Sequence, residues 1–227
     1  MRQAAAAIVL ICASVGLCFA QSPSSIDKPE VKPGERWIYH RIDYRTNALV
    51  ETYELRVAFV GKDVIHGVIK KHRIAGKPED VRIGSVPALA GDKDGEIDAI
   101  WTSEWNTVSS GDGAVAQPHT GFFRFPLKVG AAYRTDYEFR RPREGARASK
   151  VRHNVRVVGW EEISVPAGKF RALKVEATGH YERLDIFERG SEQLVCWYVP
   201  EIKRSAKCVY QTSAMKRGEE LVAFELR

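Results

Sequence analysis

Apolar and polar residues alternate along most of the chain with a period of two. In residues 51–59, ETYELRVAF, Tyr53, Leu55, Val57 and Phe59 alternate with Thr52, Glu54, Arg56 and Ala58. That period puts four apolar side chains on one face of a strand. In residues 133–140, YRTDYEFR, Tyr133, Tyr137 and Phe139 alternate with Arg134, Asp136, Glu138 and Arg140. In residues 151–158, VRHNVRVV, Val151, Val155 and Val157 share a face with His153. Breakers separate such runs: Lys32-Pro33-Gly34, Gly76-Lys77-Pro78, Gly91-Asp92, Gly111-Asp112-Gly113 and Val165-Pro166-Ala167-Gly168. The last, with Pro second and Gly fourth, suits a type I turn. No stretch has the period of an amphipathic helix. The pattern predicts an all-β antiparallel fold of about 10–12 strands, forming a strongly curved sheet, a half-barrel or a barrel.

The two halves, about 31–120 and 121–227, resemble each other. VKPGERWIYHRIDY from Val31 aligns with LKVGAAYRTDYEF from Leu127, so Gly34 matches Gly130 and Trp37 matches Tyr133. AFVGKDVI from Ala58 aligns with RVVGWEEI from Arg156, and Trp101 falls opposite Trp197. Such spacing predicts one β domain, 31–227, built from a repeat. Two half-sheets with one apolar face each must bury those faces against each other or around something.

The N-terminus changes the setting. Arg2 is followed by an apolar run from Ala4 to Leu17, too short to span a bilayer comfortably, and Cys18-Phe19-Ala20 offers small residues at a cleavage site. Residues 1–20 read as a secretory signal peptide, followed by a flexible mature N-terminus over 21–30. Its removal leaves 34 basic and 29 acidic residues, a net charge of about +5, which weakly favours acidic partners. No later apolar run is long enough for a membrane span, and the predicted location is the periplasm or the exterior.

Cleavage also removes Cys12 and Cys18, leaving Cys196 and Cys208 as the mature cysteines. An exported chain with two cysteines is read as having one disulfide. In LVCWYVPEIKRSAKCVYQ, residues 194–211, both cysteines suit a cross-strand staple, since directly opposed strand residues have the spacing a disulfide needs. A simple hairpin centred on Ile202 would set Tyr198 against Ala206 and Pro200 against Arg204. Glu201-Ile202-Lys203 lacks the Gly or Asn that a tight hairpin prefers.

The run SVPAGKFRALKVEATG, then CWYVPEIKRSAKCVYQ, then the closing ELVAFELR resembles the TapB-like group of exported bacterial proteins. The similarity is best over Gly159 to Arg227 and faint in the first half. It implies an all-β, envelope-located protein and carries over no activity and no functional residue.

Candidate chemistry is sparse. His66 and His72 are too far apart to share a metal on one strand face, and His153 reads as a buried, hydrogen-bonded core histidine. No His-Glu-x-x-His, Cys/His cluster, nucleophile elbow or phosphate-binding glycine loop occurs. No metal, cofactor or catalytic residue is assigned. The acidic turn Asp92, Asp94, Glu96 and Asp98 offers oxygen ligands to calcium, although its order does not match an EF-hand loop. Residues 140–156 read as a long basic hairpin loop, with Arg140, Arg141, Arg143, Arg147 and Lys150 as candidates for an anionic surface. Nucleic acid is not an expected partner.

Among the aromatics, Trp37, Tyr39, Trp101, Tyr133 and Trp197 are the candidates to line a ligand cavity, because apolar pockets with a few polar groups are the usual ligand sites. The leading expectation is a non-catalytic envelope protein binding a lipid, another amphiphile or an envelope protein. A small hydrolase acting on an envelope polymer and a structural or assembly factor are the alternatives.

Overall fold

The structure, a computed structural model, describes residues 23–72, 96–110, 113–141, 148–183 and 188–227. The proposed signal peptide lies outside the described residues. The strands of the first half are β1 (Ser25–Ile26), β2 (Arg36–Asp43), β3 (Ala48–Val60), β4 (Val64–His72), β5 (Glu96–Thr102), β6 (Thr107–Ser109) and β7 (Val115–Gln117). The second half supplies β8 (Leu127–Lys128), β9 (Ala132–Arg140), β10 (Ser149–Val165), β11 (Gly168–Arg183), β12 (Glu188–Val199), β13 (Arg204–Thr212) and β14 (Lys216–Glu225). Strands β2 to β7 and β9 to β14 close into one antiparallel barrel, in which β14 pairs with β2 and β7 with β9. Strands β1 and β8 form a small separate sheet.

The period-two pattern sets what faces inward. On β10 the buried residues are Val151, His153, Val155 and Val157, while Arg152, Asn154 and Arg156 between them are exposed. On β3 the buried positions are Tyr53, Leu55 and Val57. The inward side chains form one continuous core that includes Trp37, Leu55, Ile65, Leu173, Tyr198 and Leu221. Burying a large aromatic of this kind contributes roughly 4–6 kcal/mol by area. The hairpin of β10 and β11 turns at Pro166-Ala167, with Val165 opposite Gly168. Its tip is held against β14 by the Ala167 N–H, which donates to the Leu221 carbonyl at 3.0 Å.

Two glycine turns share one geometry. Gly34 and Gly130 are left-handed, with φ of +86° and +85°, and their N–H groups donate to the carbonyls of Val57 and Val157, both at 2.8 Å. The strands bulge just beyond, between Val57 and Phe59 and between Val157 and Gly159. Pairing that follows from these anchors makes Trp101 the counterpart of Tyr198, since Gly67 and Ala99 correspond to Val175 and Cys196. The alignment of Trp101 with Trp197 is one residue out of register, and that of Gly61 with Gly159 is two out. A one-residue slip turns a side chain to the other face of a sheet.

Cys196 and Cys208 are directly opposed and joined by a disulfide. The turn beyond them differs from the simple hairpin. Without a glycine it closes as a 3-10 turn over Pro200–Ile202, and Lys203 takes the left-handed position at φ +59°. A bulge at Trp197 and Tyr198 absorbs the extra residue, so Tyr198 faces Ser205 and Val199 faces Arg204. The basic loop is also shorter than its composition suggests, because β10 begins at Ser149.

Gly179 and Gly130 separate packing from backbone strain. A methyl group at Gly179 would lie 1.9 Å from the Arg152 carbonyl oxygen and 2.6 Å from His153 Cδ2, whereas at Gly130 it would meet open space. Gly179→Ala is expected to cost about 3 kcal/mol or more, since neither neighbour yields without moving the β10–β11 ladder. Gly130→Ala should cost only about 1 kcal/mol, from its left-handed φ. Urea unfolding of both variants checks this, and equal losses would contradict the register of β10 on β11.

Candidate functional site

Inside the barrel, three of the five cavity candidates meet. Trp37 and Tyr39 lie on β2 with no exposed surface, and Trp101 lies buried on β5. What fills the space between them is the side chain of Arg204, the first residue of β13. Its guanidinium carbon lies 4.2 Å from the ring centre of Trp105, 5.4 Å from Trp101, 5.8 Å from Trp37 and 5.9 Å from Tyr39. Cation–π contacts of this kind contribute about 0.5–2 kcal/mol each. The polar atoms of the rings go to the 3-10 turn and its exit. Trp37 Nε1 donates to the Ile202 carbonyl at 2.9 Å, Trp105 Nε1 to Lys203 at 2.8 Å and the Tyr39 hydroxyl to Ser205 at 2.8 Å. The cage is packed by the chain's own cation.

The other two candidates sit apart. Tyr133 is part-buried on β9; its hydroxyl donates to the Phe122 carbonyl at 2.6 Å, and Arg124 lies 4.6 Å over its ring. Trp197 points out of the barrel, where its Nε1 donates to Glu161 at 2.8 Å and the ammonium groups of Lys174 and Lys207 lie 5.8 and 5.9 Å from its ring.

Toward the other end of β10, the interior turns polar. His153 Nε2 lies 2.6 Å from Glu192 Oε1, and the Tyr210 hydroxyl donates to Glu192 Oε2 at 2.6 Å. The side chains of His153 and Glu192 are each 7 % exposed, so the pair is a packed element and not an open cleft. The Tyr137 ring lies 6.0 Å from the imidazole. The expectation of a buried, hydrogen-bonded histidine matches this geometry.

Two grooves mark the outer face. The larger, about 730 Å³, takes three consecutive residues from each of four strands: Asp136–Glu138, Lys150–Arg152, His180–Glu182 and Arg189–Ser191. Its charges alternate across the strands, with Glu138, Lys150, Glu182 and Arg189 in one cross-strand row. Arg152 and Arg189 pair with Asp136 and Glu182 at 2.8 and 2.6 Å. Hydrogen bonds from Arg134 and Arg152 pull the Asp136 carboxyl down to about 2. The smaller groove, about 330 Å³, lies on β12 and β13 beside Tyr44. Val195 and Val209 oppose each other at its centre, Gln193 faces Gln211, and Trp197 faces Lys207. Lys216 completes its rim.

The basic candidates are dispersed. Arg140 pairs with Glu138 at 3.3 Å, Arg141 stacks 5.1 Å over Phe139, and Lys150 lines the larger groove. Arg143 and Arg147 lie outside the described residues, as do Asp92 and Asp94 of the acidic turn. Glu96 pairs with Arg56 at 3.2 Å. Among the described residues no group of three His, Cys, Asp or Glu side chains could hold a metal.

The sequence passed over Arg204 and Trp105. Arg204 had a usable signal, since it shares its parity with Ala206, Cys208 and Tyr210, and a charge on an otherwise apolar face has to be accommodated. Trp105 had none, because its role depends on a left-handed turn with φ +64°.

No family model matches the chain, and no curated protein does. The similarity to the TapB-like group therefore rests on short motifs alone. Among solved structures, one shares the fold and a second superposes less well. One, described as a candidate lipoprotein from Parabacteroides distasonis, superposes with a TM-score of 0.56 at 10% identity, covering 88% of this chain and 99% of its own. The other, described as a candidate exported protein with a YmcC-like fold from Bacteroides fragilis, has a TM-score of 0.45 at 13% identity over the same shares.

The interior chemistry has two measurable consequences. All eight tyrosines are held above their ordinary ionisation range, with burial as the first cause in each, and Tyr133 is pushed up to about 12. A group whose folded pKa is raised stabilises the fold below its unfolded value, near 10, and loses that contribution as pH climbs toward the folded value. Tyrosinate absorbance at 295 nm should therefore stay low through pH 10 and rise together with unfolding between about pH 10 and 12. Gradual ionisation of a folded protein near pH 10 would contradict the burial. His153→Ala leaves Glu192 without its imidazole partner inside the barrel and should destabilise by roughly 3–5 kcal/mol. Combining it with Glu192→Ala should cost less than the sum of the two single changes, as a urea double-mutant cycle would report.

Proposed function

We propose that the chain is a non-catalytic, exported protein of the cell envelope that binds an anionic amphiphile in the groove around Trp197. The observation that carries this reading is the composition of that groove. Val195 and Val209 give an apolar floor, the Trp197 and Tyr44 rings extend it, and Lys216 stands at the rim with Lys207, whose ammonium also pairs with Glu220 at 2.7 Å. An apolar segment on the valines and indole would bring an acidic head within reach of the ammonium groups. The interior supports an outer-face site, because Trp37, Tyr39 and Trp101 are packed around Arg204.

The export assignment draws on the apolar N-terminal segment, on the disulfide, and on the description of the neighbour from Parabacteroides distasonis as a candidate lipoprotein. The barrel carries charge outside and apolar residues inside: Arg152, Arg156, Lys174 and Glu176 face out while Val155, Val157 and Val175 face in. That is the inverse of a lipid-facing barrel, whose outer band is apolar. The non-catalytic reading is supported by the burial of the His153–Glu192 pair.

Native mass spectrometry of the protein isolated from periplasm without detergent is expected to show an amphiphile adduct. Laurate, kept below its micellar concentration, should bind in calorimetry at least tenfold more tightly than acetate. Trp197→Ala and Val195→Asp should each weaken laurate at least tenfold. A bare mass together with no laurate heat would overturn the proposal.

A further inference from the structure

The guanidinium of Arg204 is unusual for a cation inside a barrel. Its Nη1 is buried and has no hydrogen-bond partner. Among the described residues it makes no ion pair, and the nearby acids are engaged elsewhere. Glu35, fully buried, receives Lys203 Nζ at 2.5 Å and the Lys32 N–H at 3.1 Å. Glu219 accepts the hydroxyl of Tyr53. Four aromatic rings surround the charge, the Tyr39 hydroxyl also lies against the guanidinium, and neither satisfies the in-plane N–H of Nη1. A buried donor without an acceptor is costly, and a guanidinium matches oxyanions in geometry.

A second observation comes from the other half of the barrel. The β5–β6 and β12–β13 turns close alike, although the second is one residue longer: the Trp105 N–H donates to the Thr102 carbonyl at 2.9 Å, and the Lys203 N–H to Pro200 at 3.0 Å. Both Trp105 and Lys203 are left-handed. The residue that follows is Asn106 in one turn and Arg204 in the other. Asn106 holds a peptide group: its Nδ2 donates to the Phe123 carbonyl at 2.7 Å, and its Oδ1 accepts the Phe123 N–H at 2.7 Å. Arg204 holds no such group. At equivalent positions, one polar side chain is satisfied by the chain and the other presents a free donor.

We infer that Arg204 is an anion receptor, its free Nη1 taking the oxyanion of a carboxylate or phosphate at the edge of the cage of Trp37, Tyr39, Trp101 and Trp105. Arg204 as a whole residue is part-exposed while its Nη1 is covered, so an anion arriving from the hairpin end of the barrel reaches that donor as the rings around it shift. The site is separate from the outer groove at Trp197.

Three of the five tryptophans line the cage, so intrinsic fluorescence reports on it directly. Inorganic phosphate added to the mature protein, at constant ionic strength against chloride, should change the emission saturably. It should also raise the melting temperature, by about 5 °C at a hundredfold excess over its dissociation constant. Arg204→Lys should weaken phosphate at least tenfold, and Arg204→Met should abolish both responses while far-UV circular dichroism shows a folded barrel. Trp197→Ala should leave both responses intact, which separates this site from the outer groove. In the Trp197→Ala background, laurate binding tenfold tighter than acetate would assign the head of an amphiphile, and equal affinities a free small anion. No phosphate-specific change in emission or melting of the wild-type protein, or an unchanged response in Arg204→Met, would overturn the inference. The wild-type measurement decides even where a variant fails to fold.

Discussion

A closed barrel has no free edge strands, and it imposes one demand in return: every second residue of its strands must help to fill a single interior. Twelve strands enclose a wide space, and aliphatic side chains alone do not fill it. The chain answers with large rings at one end, where Trp37, Trp101, Trp105, Phe123 and Tyr198 pack edge to face, and with glycines where rings need room. A Cβ at Gly67 would lie 2.7 Å from Trp101, and one at Gly190 would lie 2.5 Å from Tyr181. Closure therefore depends on size complementarity between neighbouring strands, and the glycines are as specific to the fold as the tryptophans.

Two polar solutions coexist within that filling. At the β10–β12 end, His153, Glu192 and Tyr210 satisfy one another, so the cost of removing them from water is offset by short hydrogen bonds. At the hairpin end, Arg204 is stabilised by ring faces, which attract a cation but accept no in-plane N–H. The first arrangement is complete within the chain. The second leaves one donor open, and that asymmetry is why the two polar sites have different meanings for function.

Much of the fold is legible from alternation. Tyr53, Leu55 and Val57 declare their face, and so do Val151, Val155 and Val157. The pairing of Cys196 with Cys208 follows from parity and compartment. Register beyond a bulge is not legible. Trp197 and Tyr198 are adjacent large aromatics, and nothing in their order tells which one enters the core. The bulge between them, set by a turn without glycine, decides it. The cage was half visible: Trp37, Tyr39 and Trp101 stood out as aromatics, but their convergence on Arg204 depends on Lys203 and Trp105 adopting left-handed conformations that L side chains rarely take. The outer grooves escape sequence reading for a different reason. Their residues come from β9 to β14, with Gln117 of β7 and Tyr44 beyond β2, and the curvature that makes them concave belongs to the closed barrel.

Strand β13 is where these features meet. Its inward residues are Arg204 in the aromatic cage, Cys208 in the disulfide and Tyr210 on Glu192. Its outward residues Lys207, Val209 and Gln211 form one wall of the Trp197 groove, and β12 forms the other. The disulfide binds β12 to β13 midway along their paired length, so it fixes the width of the outer groove and the position of the inner polar contacts together. A covalent tie is useful at that place because the adjoining bulge at Trp197 and Tyr198 interrupts the ladder. Without the tie, a slip there would turn Trp197 inward and Tyr198 outward, removing the groove's aromatic wall and disrupting the packing around Phe123. The paired cysteines thus stabilise the barrel and also select the one register in which both faces of β13 have partners.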